Sequence, residues 1–148
     1  MIKTVIFNAN KKPTLEEKND IIKFLFENLQ EYGDPESDIE KCVNYALKET
    51  PSFGGFVLVS QLNNKISGAV IVNRTGMKDF IPENILVYIA TSKDHRGEGI
   101  GKELMQKTID LTDGSIALHV EPNNPAKFLY EKFGFTNKYL EMRYKRSK

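Results

Sequence analysis

The chain has 148 residues, of which 40% are hydrophobic, 10% aromatic and 28% charged, and its formal net charge is +1. This length and composition are typical of a single globular domain, residues 1–148, and they exclude a disordered chain. The nearly balanced charge provides no electrostatic attraction to nucleic acid or to an anionic membrane, so neither is expected as a partner.

Hydrophobic periodicity, capping residues and turn residues predict ten elements along the chain. In chain order they are a strand at residues 2–7, helices at 14–32 and 37–47, strands at 56–60, 66–72 and 85–90, a helix at 100–111, a strand at 116–120, a helix at 125–133 and a last strand at 139–144. The order is β-α-α-β-β-β-α-β-α-β, without internal repeats or a low-complexity linker.

A glycine-rich turn joins the apolar strand at residues 85–90 to the helix at 100–111. Its glycines allow close approach of the backbone, and the first amides of the helix point outward along a dipole that favours an anion. Each such dipole contact contributes only about 0.3–1 kcal/mol, so several amides must converge on one ligand. The turn therefore predicts a phosphate-binding loop.

Two well-known phosphate motifs fit this turn poorly. A Walker loop would need glycine where Arg96 stands and serine or threonine where Glu103 stands. A dinucleotide fingerprint needs Gly-x-Gly-x-x-Gly, whereas the spacing here is Gly-x-Gly-x-Gly, and too little chain follows Glu121 for a doubly wound sheet. Because Glu121 lies at nearly the right distance for a ribose contact, nucleotide binding stays open as a rival interpretation.

A third motif, Arg/Gln-x-x-Gly-x-Gly/Ala, matches residues 96–101 and resembles the acyl-CoA pyrophosphate loop of the GCN5-related N-acetyltransferase (GNAT) family. Further along, residues 123–135 are similar to the family's Asn-x-x-Ala-x-x-Leu-Tyr-x-x-x-Gly-Phe signature. The second run is also a plausible helix on its own, with Pro125 suited to the first turn and Gly134 to a left-handed stop. The two motifs occur in the family's order.

The resemblance implies an α/β (α+β) fold, in which a mixed, twisted sheet carries helices on both faces. Two central parallel strands splay apart, and the pantetheine arm of acetyl-CoA (coenzyme A) enters the gap. The implied activity is transfer of an acetyl group from acetyl-CoA to a primary amine by direct attack in a ternary complex. The alternative is a non-catalytic module that binds acyl-CoA and reports its level to a partner.

The resemblance also implies which residues contact the cofactor. One set is the strand segment that pairs with pantetheine, and the others are the pyrophosphate loop, the asparagine beside the cofactor arm and the tyrosine near the thioester sulfur. These are Ile89, Ala90, Thr91, Arg96, Gly97, Glu98, Gly99, Ile100, Gly101, Lys102, Asn123 and Tyr130. Asn123 has a second interpretation as a simple helix cap.

The catalytic candidates are Tyr130 as general acid and Glu83 as general base. Tyr130 corresponds to the family's tyrosine, and its other interpretation is a packed aromatic side chain. Glu83 lies thirteen positions before Arg96, a spacing that resembles the glutamate of the ribosomal-protein-acetylating branch. If Pro82 ends the strand early, however, Glu83 is an exposed loop carboxylate. His119 and Glu121 form a reserve base pair.

The cysteine content and the hydropathy of the chain lead to further expectations about metal binding and location. Cys42, the single cysteine, lies at helical spacing among apolar residues and is expected in the core, and no residue cluster predicts a metal site. No apolar run reaches the roughly 18–20 residues that span a bilayer and no secretory leader is recognisable, so a cytoplasmic location is expected.

The amine acceptor, a small molecule or a protein, is not identified. Residues 52–56 and 74–80 are candidate walls of its site, and the chain is expected to be a monomer or a homodimer.

Overall fold

The computed structural model describes residues 2–147, and five strands in it form one sheet whose spatial order follows the chain. The strands are β1 (Lys3–Phe7), β2 (Gly55–Leu62), β3 (Lys65–Arg74), β4 (Asn84–Thr91) and β5 (Ile116–Leu118). The helices are α1 (Leu15–Leu29), α2 (Glu36–Ala46), α3 (Ile100–Leu111) and α4 (Ala126–Lys132), with short 3-10 turns at Gln30–Tyr32 and Lys93–His95.

Local sequence accounts for most of these elements. Thr14 caps α1 by accepting a hydrogen bond from the Glu17 backbone, while the Glu17 side chain bonds back to Thr14, a capping box. Asn63 and Asn64 both adopt positive φ, which closes the tight hairpin between β2 and β3. The predicted hairpin and the predicted α/β architecture are thus confirmed.

The sheet separates two apolar cores. Helices α1 and α2 cover one face, where Leu25, Ile39 and Val43 are fully buried. Helices α3 and α4 cover the other face, where Leu104 and Tyr130 pack. Alternate residues of β2 and β3 point into opposite cores, as the strand period of two requires.

The only parallel pairing in the described sheet joins β4 to β5, and it is short. It runs from Asn84 opposite Ile116 to Leu86 opposite Leu118 and then stops, although β4 continues to Thr91. Directly after the last paired residue, the β3–β4 ladder skips Val87, which marks a bulge in β4. The carboxyl half of β4 therefore has one edge without a neighbouring strand, and a gap opens between the two chains.

The last predicted strand is not formed. Residues 139–144 make no ladder with the sheet, and every described residue from Thr136 onward is exposed. The predicted strand at 116–120 is also shorter, because its pairing ends at Leu118 where β4 bends away. Propensity alone favours a strand at 139–144, but a strand needs a paired neighbour, and the chain folds without providing one.

Close packing at Gly55 provides a test of this sheet. A Cβ built on Gly55 would lie 2.0 Å from the Val72 carbonyl oxygen, so Gly55→Ala must displace backbone. We expect the free energy of unfolding to fall by about 2–3 kcal/mol and the melting temperature by roughly 5–10 °C. In the matched control, Gly101→Ala, the new Cβ meets its nearest atoms only at 3.5 Å. Because it replaces glycine in a helix, it should raise stability by about 0.5 kcal/mol. Equal effects of the two variants in thermal denaturation would contradict this packing.

Candidate active site

The segment between β4 and α3 adopts the conformation that its glycines allow. Gly97 and Gly99 have φ values of +85° and +82°, in the left-handed region that other residues avoid. A Cβ on either residue would meet no atom within 4 Å, so the surface of the loop is open. These glycines are needed for backbone conformation, and they leave room for a ligand to approach the chain.

The backbone amides of this loop are available to a ligand. The first amide of α3 with an internal acceptor is that of Glu103, which donates to the Gly99 carbonyl at 3.1 Å. Within residues 2–147, no acceptor is present for the backbone N–H groups of residues 96–102. Such a row of free donors at the start of a 12-residue helix is an anion-binding arrangement.

Several charged and polar side chains around the loop have partners outside the row of amides. Glu98 pairs with His95 at 3.2 Å, with the Glu98 side chain exposed and the His95 side chain half-buried. The Arg96 guanidinium donates to the Asn28 carbonyl at 3.0 Å, and the Asn28 side chain accepts from the Lys93 amide at 3.0 Å. The end of α1 thus fixes the entry to the loop, while Lys102 is exposed on the first turn of α3.

The two sequence motifs meet in space. A Cβ on Gly101, at the start of α3, would lie 3.5 Å from a Leu129 methyl group and 3.6 Å from the Thr91 methyl group. The end of β4, the phosphate loop and α4 therefore converge at one place. Ile89 and Tyr130 belong to the same apolar cluster, together with Val120 from the chain that follows β5.

Tyr130 is buried on α4, and its environment keeps its hydroxyl protonated. Burial alone raises the pKa of Tyr130 to about 12, and no hydrogen-bond partner contributes to that shift. The ring packs against Phe135, with centroids 6.1 Å apart. A buried phenol without a protein partner among the described residues is a proton donor that a ligand can use.

The structure separates the roles of two neighbouring asparagines. Asn124 accepts a hydrogen bond from the Ala126 amide at 2.9 Å and so supports the start of α4. The exposed Asn123 does not have that capping task, and its carbonyl instead accepts a hydrogen bond from the Tyr32 hydroxyl at 3.3 Å. The Asn123 side chain makes no hydrogen bond within the described residues, and its contact with a cofactor stays a prediction.

The connection between α1 and α2 crosses the opening of the gap, a feature that the sequence analysis missed. Tyr32 contacts Asn123 beyond β5, and the Tyr88 hydroxyl on β4 donates to the Asp34 carboxylate at 2.5 Å. Burial and the Asp34 carboxylate raise the pKa of Tyr88 well above its usual range. The residues Gly33-Asp34-Pro35 indicated a break between helices, but no local pattern connects them to Tyr88.

Glu83 lies before β4 and is held by backbone amides. Its carboxylate accepts hydrogen bonds from the Asp79 amide at 2.8 Å and from the Ser115 amide at 2.7 Å. These bonds lower the pKa of Glu83, which makes the carboxylate a weaker base. Its assignment as catalytic base stays a prediction, and this geometry favours a structural task instead.

The reserve base pair lies beside the gap, whereas the expected acceptor walls lie at the other end of β4. His119 and Glu121 are exposed just beyond β5, on the chain that forms one wall. The expected acceptor walls, residues 52–56 and 74–80, are beside the first residue of β4, since Arg74 pairs with Asn84. They are therefore about 20 Å from Thr91 along the strand, at the far end from the phosphate loop.

The single cysteine is not available as a reactive thiolate. Burial raises the pKa of the Cys42 thiol to about 12, so it is not a reactive thiolate at neutral pH. No group of His, Cys, Asp or Glu within residues 2–147 is arranged to hold a metal ion. Over the same residues, no helix combines the length and the apolar character needed to cross a membrane.

Comparison with known families identifies this arrangement. The family model described as "Acetyltransferase (GNAT) domain" matches residues 53–137, more than half of the chain, which includes β4, the glycine loop and α4. The chain belongs to the GNAT acetyltransferase family, and is an enzyme of the N-acetyltransferase class. No curated protein sequence matches it significantly.

Solved structures agree on the fold. The protein PH1933 of Pyrococcus horikoshii OT3 is 25% identical, with a TM-score of 0.67, covering 92% of this chain and 89% of that one. A ribosomal-protein-alanine N-acetyltransferase from Brucella melitensis biovar Abortus 2308 is 16% identical, with a TM-score of 0.65 and coverage of 99% and 100%. An aminoglycoside acetyltransferase, HMB0005, from an uncultured soil metagenomic sample is 18% identical, with a TM-score of 0.69 and coverage of 99% of each chain.

The Glu83 contacts generate a prediction that separates structure from catalysis. Because the folded-state pKa is lowered, ionised Glu83 stabilises the fold above about pH 4.5, and this stabilisation is lost as the pH falls through the folded-state pKa. Glu83→Gln should therefore melt at a lower temperature than the wild type at pH 7, with the difference shrinking below about pH 4.5. We expect the variant to keep the acidic limb of the pH–rate profile. Loss of that limb at unchanged melting temperature would make Glu83 the base after all.

Proposed function

We propose that the chain binds acetyl-CoA in the gap between β4 and β5 and transfers the acetyl group to a primary amine by direct attack in a ternary complex. The observation that carries the proposal is the row of free amides at residues 96–102, placed directly beyond the strand edge that β5 leaves open. A cofactor that has a pyrophosphate and an extended polar arm needs both features. The free amides would bind the pyrophosphate, and the open strand edge would bind the arm.

The cofactor would use backbone groups more than side chains. The free edge of β4 at Ile89, Ala90 and Thr91 would pair with the amides of pantetheine, as a neighbouring strand would. The amides of residues 96–102 would hold the pyrophosphate, with the charges of Arg96 and Lys102 nearby. Asn123 would contact the arm from the opposite wall.

Tyr130 would act on the departing sulfur. A thiol with a pKa of about 8.5 is already a tolerable leaving group, so a proton from Tyr130 adds modestly to a rate that depends mainly on positioning. Backbone N–H groups on the open β4 edge would stabilise the negative charge that develops on the carbonyl oxygen. Because Tyr130 has a raised pKa, it holds its proton throughout the neutral range.

The acceptor would approach beside the connection of residues 30–35, where that segment crosses the gap. Carboxylates there include Asp34, bonded to Tyr88, and the exposed Glu121 on the other wall. Negative charge on both sides favours a cationic amine over an anionic one. The acceptors named for the similar structures, a ribosomal-protein alanine and aminoglycosides, are both amines.

The first experiment is calorimetric titration of the protein with acetyl-CoA, with NAD as the comparison ligand. We expect selective acetyl-CoA binding, and we expect Gly99→Ala to weaken it at least about tenfold, because a side chain there strains and crowds the loop. Gly134→Ala is the matched control: its φ is +93° and its space is equally empty, so it has the same strain outside the loop. Equal losses in both variants would contradict the assigned site, and comparable NAD affinity would favour the dinucleotide interpretation.

A screen of amines with detection of released thiol then separates the enzyme from a sensing module. The proposed transferase releases thiol only when a suitable amine is present, and the acetylated amine appears in equal amount. Acetyl-CoA binding without thiol release across polyamine, aminoglycoside and peptide amines would instead favour the non-catalytic module.

Tyr130→Phe tests the acid role. We expect kcat to fall about 10- to 100-fold while the dissociation constant for acetyl-CoA changes less than about twofold, since the ring and its packing are kept. The wild-type rate should show no basic limb from Tyr130 in the neutral range, because burial raises the pKa of Tyr130 to about 12. Phe135→Leu, which disturbs the packing of the same ring, is the control for indirect effects. Unchanged kcat in Tyr130→Phe would remove the acid role.

A further inference from the structure

A groove between helix α1 and the β2–β3 hairpin, here called the α1–hairpin groove, has a volume of about 320 Å³. Small-molecule pockets have volumes of about 300–1,000 Å³, so this groove suits a ligand at the small end of that range. None of its lining residues belongs to β4, the glycine loop, β5 or α4. It is therefore separate from the candidate active site.

The base of the α1–hairpin groove is apolar and partly aromatic. Phe7 of β1 and Phe24 of α1 line it and are buried, and Ile66 of β3 lines it and is half-buried. Ile21 and Val59 complete this base. An aliphatic or aromatic group of a ligand would be removed from water on such a surface, which favours binding.

The two walls of the groove carry charges of opposite sign. The α1 wall has three carboxylates and one ammonium group, whereas the hairpin wall has one ammonium group and two side-chain amides. The α1 residues are Glu17, Asp20, Glu27 and Lys23, and the hairpin residues are Lys65, Gln61 and Asn64. The α1 wall is thus negative overall, and the hairpin wall is positive.

These charges do not neutralise one another across the groove. Within residues 2–147, no ion pair joins Asp20 or Glu27 to Lys65. Glu17 already has a structural task, because its side chain accepts a hydrogen bond from the Thr14 amide at 2.8 Å. Unpaired surface charges are common in proteins. What selects a ligand here is that opposite charges stand on either side of an apolar base.

We propose that the α1–hairpin groove binds a free apolar amino acid in its zwitterionic form. The ammonium group would lie against Asp20 and Glu27, and the carboxylate against Lys65. The side chain would cover Phe7 and Phe24. A simple cation leaves Lys65 without a partner, and a simple anion is repelled by the α1 wall. A residue inside a peptide carries neither of the two charges, so the groove favours the free amino acid.

The first test is an NMR titration of the ¹⁵N-labelled full chain with L-phenylalanine. We expect saturable amide shifts that are largest within residues 17–27 and 61–66, with a dissociation constant of about 1 mM or tighter for a ligand of this size. An absence of saturable shifts at about 10 mM would overturn the proposal. It would also be overturned if the largest shifts fell at residues 89–91 or 119–123, because the ligand would then lie in the gap.

Three analogues test which groups of the ligand are recognised. Phenethylamine lacks the carboxylate, N-acetylphenylalanine lacks the ammonium group, and serine keeps both charges but lacks the apolar side chain. Each should bind at least about tenfold more weakly than phenylalanine, since each loses one of the three contacts. Affinity equal to that of phenylalanine in any of the three would contradict the proposed recognition.

Variants of the two walls locate the site. Lys65→Gln and the double variant Asp20→Asn/Glu27→Gln should each raise the dissociation constant for phenylalanine about tenfold or more. All three side chains are exposed, so the melting temperatures should stay close to that of the wild type.

The matched controls change the same kinds of charge outside the groove. They are Lys41→Gln on α2 and Glu16→Gln on α1, and both residues are exposed and absent from the lining. The controls should bind phenylalanine as the wild type does. Equal losses in wall and control variants would mean that only the overall charge matters, which would overturn the proposal. No measurement in this set uses acetyl-CoA, so its outcome is independent of the proposed function.

Discussion

The brevity of the pairing between β4 and β5 is the constraint on which the rest of the structure depends. Two parallel strands that paired along their whole length would leave no free backbone groups on this edge of β4 for the proposed site. Because the ladder ends at Leu86 and Leu118, the rest of β4 keeps one free edge. A short 3-10 turn at Lys93–His95 leads from that edge to the glycine loop, so the free strand edge and the free helix amides lie at the same end of β4.

Several contacts hold the gap in its open form. The bulge at Val87 turns β4 where the pairing ends. On one side of the sheet, Tyr130 packs in the same apolar cluster as Ile89 of β4 and Leu118 of β5. On the other side, the connection between α1 and α2 is fixed to both walls, through Asp34 to Tyr88 and through Tyr32 to Asn123. The opening is thus supported by packing rather than by a lack of structure, and its polar groups remain accessible to water until a ligand replaces it.

What could be predicted from the sequence depended on how local its cause was. The hairpin at Asn63, the α4 signature and the glycine loop are each specified by residues within a few positions of one another, and all three form as predicted. The contact between Asp34 and Tyr88 joins residues 54 positions apart, and nothing near either residue indicates it. Glu83 illustrates the same limit: its spacing resembles that of a catalytic glutamate, but distant Ser115 takes up one of its carboxylate oxygens.

The weakest wall of the gap is also the one with an open edge. β4 is paired with β3 along its length, whereas the three-residue β5 has β4 alone as a neighbour among the described strands. An edge strand this short is stabilised mainly by the packing of Ile116 and Leu118 against the core, and both are only partly buried. Any strand added to that edge would stiffen the wall that bears Asn123 and Glu121.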